Sequence, residues 1–320
     1  MILSRKLRTS FWNRWGNRIL LTSGIFLFLF IILKGALVTS WGAGTNYQNF
    51  SVKTTVNVTN AYPEILNVSC FNGQAIILAA GSTMTVNCTV RLRDYNGWND
   101  INMVNGTFYY YLNESDDPDD NNTHYTNTTC SQSSNDGQYL VNWTCSFNVW
   151  YYANNGTWRA NVTANDSYAK TDNDYGNATI SALLALNVTN VIDFGQLAVT
   201  ETSTEAISAN VTNFGNVPMN VSVYGFGGND STIGAGFAML CAQRNITLPN
   251  ERYDLSSATI YDDMTPITGS SVTIPGLKIE KQTLHDTLMT NSTYWRIHIN
   301  VSTNPFGVCN GTVVFSAISP

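Results

Sequence analysis

In Val86-Asn87-Cys88-Thr89-Val90, apolar and polar residues alternate with a period of two. The beat recurs in Val141-Asn142-Trp143-Thr144-Cys145, Ala160-Asn161-Val162-Thr163-Ala164, Ala209-Asn210-Val211-Thr212, Met219-Asn220-Val221-Ser222-Val223 and Ile299-Asn300-Val301-Ser302. Successive side chains of a strand point to opposite faces, so this period fits a half-buried strand and not a helix. Asn and the hydroxyl residue are expected to point outward. The Val, Trp or Cys between them is expected to point inward.

The polar half of the beat is Asn-x-Ser/Thr, the acceptor for N-linked glycan, used on the extracytoplasmic side of a membrane. It occurs 21 times among 39 Asn, from Asn49 to Asn310 and never earlier. Ser and Thr make up about a fifth of the chain, so chance gives roughly eight. Asn57, Asn67, Asn87, Asn105, Asn142, Asn161, Asn187, Asn210, Asn220, Asn300 and Asn310 are expected acceptors.

Charged residues are 12% of the 320-residue chain, about half the usual share, and net charge is −6. So bare a surface gains solubility from a glycan coat. It offers no basic patch, which argues against nucleic acid as a partner. The six Cys are even in number and form no Cys-x-x-Cys, which favours disulfides over zinc. Cys241 and Cys309 stand alone in the C-terminal half and are paired. Cys70, Cys88, Cys130 and Cys145 allow three connectivities. Inward parity does not choose among them, and sequence neighbours favour Cys70–Cys88 and Cys130–Cys145.

Arg5, Lys6, Arg8, Arg14 and Arg18 precede an apolar run from Ile19 to Leu33 that continues past Lys34 through Val38. About 20 such residues cross a bilayer as a helix. The basic side is expected in the cytoplasm, with Lys34 reaching the outer headgroups. The reading is a basic leader over 1–18, a transmembrane anchor or signal segment over 19–41 and a stalk over 42–60. That gives a single-pass membrane protein with its C-terminal domains outside. The rival is a secreted protein, its signal cleaved near Trp41-Gly42-Ala43-Gly44. A pilin-type leader is cut just before its apolar stretch, whereas Lys34-Gly35 falls near the end of this one, so that reading is set aside.

Beyond residue 60, short alternating segments recur between turns such as Asn72-Gly73, Gly81-Ser82, Asn96-Gly97 and Asn155-Gly156. The expected class is all-β: two β-sandwich domains, 61–183 and 184–320, after one N-terminal transmembrane helix. Asn154-Asn155-Gly156-Thr157-Trp158-Arg159-Ala160 resembles the immunoglobulin-type approach to strand F, Asp-x-Gly-x-Tyr-x-Cys. Asn154, Gly156, Trp158 and Ala160 hold the matching places. The resemblance implies an immunoglobulin-like first sandwich. Ala160 in place of Cys implies no disulfide between strands B and F. In the second half, Val191-Ile192-Asp193-Phe194-Gly195 and Val211-Thr212-Asn213-Phe214-Gly215-Asn216-Val217-Pro218 resemble openings of camelysin-like and biofilm-fibre sandwich domains. Gly215 is expected in a turn and Pro218 at a strand start. Gly225–Gly236 reads as a Gly-rich loop without the Lys-Ser/Thr of a phosphate loop, and Arg244–Asp254 as a long surface connection.

Asp94-Tyr95-Asn96-Gly97-Trp98-Asn99-Asp100 follows the expected strand B, and Asp166 and Asp172-Asn173-Asp174 follow strand F. Loops after B and F meet at one end of an immunoglobulin-like sandwich. Asp94, Asn96, Asp100 and Asp166 are therefore candidate Ca2+ ligands, although the EF-hand order is missing. Solvated turn residues are the alternative. Asp116-Asp117-Pro118-Asp119-Asp120 is placed at the other end. Trp150-Tyr151-Tyr152 reads as core rather than a sugar platform. His124, His285 and His298 are too far apart for a metal helix, His298 is expected to be solvated, and no Gly-x-Ser-x-Gly is present. Nothing singles out a carboxylate pair, so no catalytic residue and no cofactor beyond Ca2+ is assigned, and an enzyme is not expected.

In architecture the chain resembles archaeal membrane-anchored or secreted surface glycoproteins with tandem β-sandwich domains. That likeness implies a structural or adhesive role at the cell surface. Its partners would be the membrane, envelope or surface proteins, glycans, or further copies of itself. A carbohydrate- or peptide-binding module is the alternative. A third reading is a fibre subunit whose open sheet edge, at the Leu184 or the Gly311 strand, takes a strand from the next copy.

Overall fold

A computed structural model describes residues 50–320. The basic leader, the apolar segment, Asn49 and the first part of the stalk lie outside the described residues. Among the described residues no helix is long and apolar enough to cross a membrane. Residues 59–320 form one compact unit containing two sandwiches.

The first is built from β1 (Glu64–Cys70), β2 (Thr83–Arg93), β3 (Ile101–Tyr110), β4 (His124–Asn127), β5 (Ser131–Asp136), β6 (Leu140–Trp150), β7 (Gly156–Asp166) and β8 (Thr171–Ile180). One antiparallel sheet runs β1-β2-β6-β5 and the other β4-β3-β7-β8. In chain order these strands take the places A, B, C, C′, D, E, F and G of an immunoglobulin-like sandwich, with the ABED and CFG groupings intact. Alternation dictates the core. Val86, Val90, Phe147 and Val149 of one sheet face Val104, Phe108, Trp158 and Val162 of the other, all buried. Trp158 stacks on Phe108 at 4.8 Å, and its Nε1 donates to the Asn154 carbonyl at 2.7 Å. This is the geometry of a tyrosine corner made with tryptophan, two residues before buried Ala160.

The disulfides are Cys70–Cys88, Cys130–Cys145 and Cys241–Cys309, and no described cysteine is free. Cys70 and Cys88 lie opposite each other, so the first bond staples β1 to β2 within one sheet. Cys130, between β4 and β5, donates its N–H to the Val104 carbonyl of β3 at 2.8 Å and is bonded to Cys145 of β6.

The second sandwich comprises β9 (Leu186–Val188), β10 (Ile207–Asn213), β11 (Met219–Asn229), β12 (Thr232–Gly234), β13 (Phe237–Gln243), β14 (Ile246–Thr247), β15 (Glu251–Asp254), β16 (Thr265–Pro266), β17 (Val272–Ile279), β18 (Thr290–Ile297) and β19 (Phe306–Ile318). One sheet runs β16-β15-β18-β10-β9. The other runs β12-β11-β19-β13-β14, with β17 also paired to β11. Met219, Val221, Tyr253, Leu277 and Trp295 lie in the core between them.

Several expectations are corrected here. Gly225–Gly236 is not simply a loop: β11 and β12 pair Gly227 with Gly234. Arg244–Asp254 contains β14 and β15, with Glu251 and Tyr253 buried. Thr212 and Ser222 are buried, each satisfied by another hydroxyl, Thr290 at 2.8 Å and Ser271 at 2.9 Å. Val301 is exposed because β18 ends at Ile297 and Asn300 opens a turn. His298 is half-buried, its Nδ1 2.9 Å from Thr202 Oγ1. The described acceptor Asn side chains are all exposed or half-exposed.

The two sandwiches meet through a packed joint. Buried Tyr151 sets its ring against Phe214 and its hydroxyl on Gln282. Lys281 donates to Asn122 Oδ1 at 2.7 Å, to the Tyr152 carbonyl at 3.2 Å and to Asn154 Oδ1. Burial pushes its amine down to about 8. The Trp150-Tyr151-Tyr152 run thus belongs to core and joint. Asn216 clamps the connecting segment by accepting from Leu183 N–H at 2.7 Å and donating to the Ser181 carbonyl at 3.0 Å. A Cβ on Gly215 would lie 2.1 Å from the Leu183 carbonyl oxygen. Backbone cannot yield as a flexible side chain does. Gly215→Ala is expected to destabilise the chain by about 1–3 kcal/mol and to open the joint. Denaturant titration and small-angle scattering check the two effects.

Candidate functional site

The loop after β2 and the turn after β7 meet at one end of the first sandwich and bring together Asp94, Asp100 and Asp166. Ligand oxygens of the three lie within 4.8 Å of one another. Asp94 is placed by β2 and fully buried; its backbone N–H donates to the Tyr139 carbonyl at 2.9 Å. Its Oδ1 accepts the Asn96 N–H at 2.7 Å, and its Oδ2 has no partner. Asp166 ends β7 and is buried, with Oδ1 accepting the Tyr168 and Lys170 N–H groups at 2.9 and 2.7 Å. Asp100 sits just before β3; Ser167 Oγ holds its Oδ1 while its Oδ2 is buried and unpartnered.

No ion pair among the described residues involves these carboxylates. Burial, with the charges of Asp100 and Asp166 adding to it, pushes the Asp94 carboxyl up, while the Asn96 N–H opposes the shift. Asn96, expected as a ligand, is not one of the converging groups. Its Oδ1 accepts the Ala61 N–H at 2.7 Å and so fastens the incoming chain. Asn60, which the sequence did not single out, is placed by that contact. Its Nδ2 donates to Asp166 Oδ2 at 2.5 Å, while its Oδ1 is buried and unpartnered. Asp172 stands apart and accepts the Ile65 N–H at 2.7 Å. The acidic run at 116–120 is structural: Asp119 holds buried His124 at 2.8 Å, and Asp120 caps the N–H groups of Asn122 and Thr123.

A second feature lies in the second sandwich. From Thr312 to Ile318, β19 pairs with β11 alone among the described strands, and β9 pairs with β10 alone. Between these two edges runs a cleft of about 420 Å3, lined by Val188, Ile192, Met239, Glu251, Val313 and Phe315 among others. Leu186, Val188, Ile192, Val313, Phe315 and Ala317 pack on the core and yet stay only partly buried. Glu251, held by β15, makes no side-chain hydrogen bond among the described residues, and burial pushes its carboxyl up to about 8. Residues 50–58, described by themselves, carry no regular secondary structure. There Phe50, Val52, Val56 and Val58 are 83–86% exposed.

No family model matches the chain, and no curated protein does. Solved structures similar to it include a carbohydrate-binding module of the β-sandwich superfamily, at 10% identity and TM-score 0.23, covering 81% of this chain and 98% of that one. Another is the secreted serine protease VesC from Vibrio cholerae, at 10% identity and TM-score 0.19, covering 79% of this chain and 51% of that one. A third is a DUF4466 family protein from Parabacteroides merdae ATCC 43184, at 9% identity and TM-score 0.23, covering 75% and 100%. Superpositions this loose transfer no residue and no activity.

Glu251 generates a pH prediction. Its folded-state pKa is raised above the unfolded value, so its contribution is fully present below about pH 4.5 and is lost as pH rises through 8. Native protein is expected to lose up to about 1.4 kcal/mol of stability per pH unit from this group between about pH 5 and 8. Glu251→Gln should flatten that slope in denaturant titrations at each pH.

Proposed function

We propose that this chain is an extracytoplasmic, glycosylated structural protein that forms a surface fibre, each copy lending residues 50–58 to the second sandwich of the next. What supports this reading is an incompletely covered core in the second sandwich and, separately, a segment of matching pattern with no strand partner among the described residues. Phe50, Val52, Thr54, Val56 and Val58 share one face of an extended chain. Asn57 and Thr59 fall on the other, in the same phase as the acceptor triplets of the folded strands.

Nine residues at about 3.3 Å each span roughly 30 Å, enough for the seven-residue free edge from Thr312 to Ile318. An added strand would satisfy the unpaired edge of β19 and cover Val313 and Phe315. The segment would approach with its glycan-bearing face to solvent. The disulfides suit an oxidising compartment, and the packed joint suits a load-bearing rod. A carbohydrate-binding role has less support: the aromatic run at Trp150 is occupied by the joint.

The test is assembly of the full chain in its own envelope. Val52→Asp with Val56→Asp is expected to abolish filaments seen by electron microscopy and to leave folded monomers. Adding a peptide of residues 50–58 should raise the melting temperature of those monomers by several degrees. Filaments unchanged in the double variant, or a peptide without effect, would overturn strand donation. Capture of free glycan by the monomers would favour the lectin-like reading instead.

A further inference from the structure

We propose that Asp94, Asp100 and Asp166, with Asn60 as a fourth oxygen donor, form a calcium site that fastens the incoming chain to the end of the first sandwich. The argument begins with what the cluster lacks. Three carboxylates share one pocket, and no Lys, Arg or His pairs with any of them among the described residues. Two of their oxygens, Asp94 Oδ2 and Asp100 Oδ2, are sealed from solvent without a hydrogen bond. Asp94 as a whole is fully buried. An uncompensated buried carboxylate costs several kcal/mol, and an unpartnered acceptor beside it adds to that cost. Solvated turn residues would show neither burial nor orphaned oxygens.

The geometry fits a bound cation. Oxygens around calcium sit 2.3–2.6 Å from the ion, so opposite ligands are about 5 Å apart at most. The converging carboxylate oxygens, all within 4.8 Å of one another, can lie on such a sphere. Asn60 Oδ1 shares a carbon with the Nδ2 that touches Asp166, and it too is buried without a partner. Turning this amide to present Oδ1 would exchange the Nδ2 bonds to Asp166 and to the Ala61 carbonyl for the cation. The donors are all oxygen, which disfavours zinc and copper. Magnesium usually keeps several waters on an octahedral shell, and sealed oxygens leave little room for them. β3 and β7 are already paired here, Ile101 opposite Asp166, so the cation would chiefly join the loop after β2 and Asn60 to that pair.

Isothermal titration of the chelator-stripped full chain with CaCl2 alone is expected to show one calcium per chain. The melting temperature should rise by several degrees through preferential binding to the folded state. Asp94→Asn and Asp166→Asn should each weaken binding at least tenfold and remove the thermal shift. Calcium should also slow proteolysis around Thr59–Tyr62, a readout independent of either variant folding well. Absence of stoichiometric binding to the unaltered chain would overturn the proposal. An equal shift from MgCl2 at the same concentration would overturn the assignment to calcium.

Discussion

A sheet has two faces, and one of them must be kept from water. That constraint organises the whole chain. In the first sandwich it is met from within: the strands close on Trp158, Phe108 and Phe147, and the inward rows of β2, β3, β6 and β7 are buried. In the second it is met only in part. Val313, Phe315 and Ala317 on β19 and Leu186 and Val188 on β9 touch the core but are not covered by it. The kind of apolar row that is buried in one domain is left partly open in the other. At about 25 cal/mol per Å2 of apolar surface buried, covering such a strip with one strand is worth several kcal/mol.

The joint turns two domains into one body. Its parts come from far apart in sequence: Tyr151 and Asn154 from the first sandwich, Phe214, Lys281 and Gln282 from the second. Lys281 is held by amide and backbone carbonyl oxygens and makes no salt bridge among the described residues. The fit of Gly215 against the Leu183 carbonyl leaves no room for the connecting segment to swing. The domain connection therefore lacks the slack of a flexible linker. In the proposed fibre such bodies would transmit force through packed backbone, and outward Asn side chains on both sandwiches would stay free for sugar.

What the sequence made legible follows from this physics. Alternation marks strands with one dry and one wet face, so β1, β2, β6, β7 and β10 are readable almost to the residue. The cysteine pairing was readable because partners in the first sandwich are near in sequence, 18 and 15 residues apart, and only Cys241 and Cys309 lie in the second. Asp94, Asp100 and Asp166 were readable together because an immunoglobulin-like topology returns the loops after β2 and β7 to one end. The short strands β4, β5 and β13 to β16 were not. β5 is exposed along its whole length and so has no apolar row to betray it. The Asn213–Asn216 phrase stood out, but its role in clamping residues 181–185 depends on a contact no local pattern encodes. Asn60 was missed for the same reason, since only the fold carries it to Asp166. Asn96 was misread because its amide oxygen binds a backbone N–H that only the folded chain brings near.

Asn60 also links the two proposals through the covalent chain. It follows Val58 by two residues, so whatever holds Asn60 sets where the 50–58 segment is tethered. A tether fixed at its root explores less space than a loose one. Less conformational entropy is then lost when the segment docks, and that entropy is the main cost of ordering an extended peptide. A cation at Asp94, Asp100 and Asp166 would in this way stiffen each copy's point of attachment without touching the groove that receives the strand. Assembly would then depend on calcium through preorganisation, while the chemistry of strand pairing itself stays insensitive to the ion.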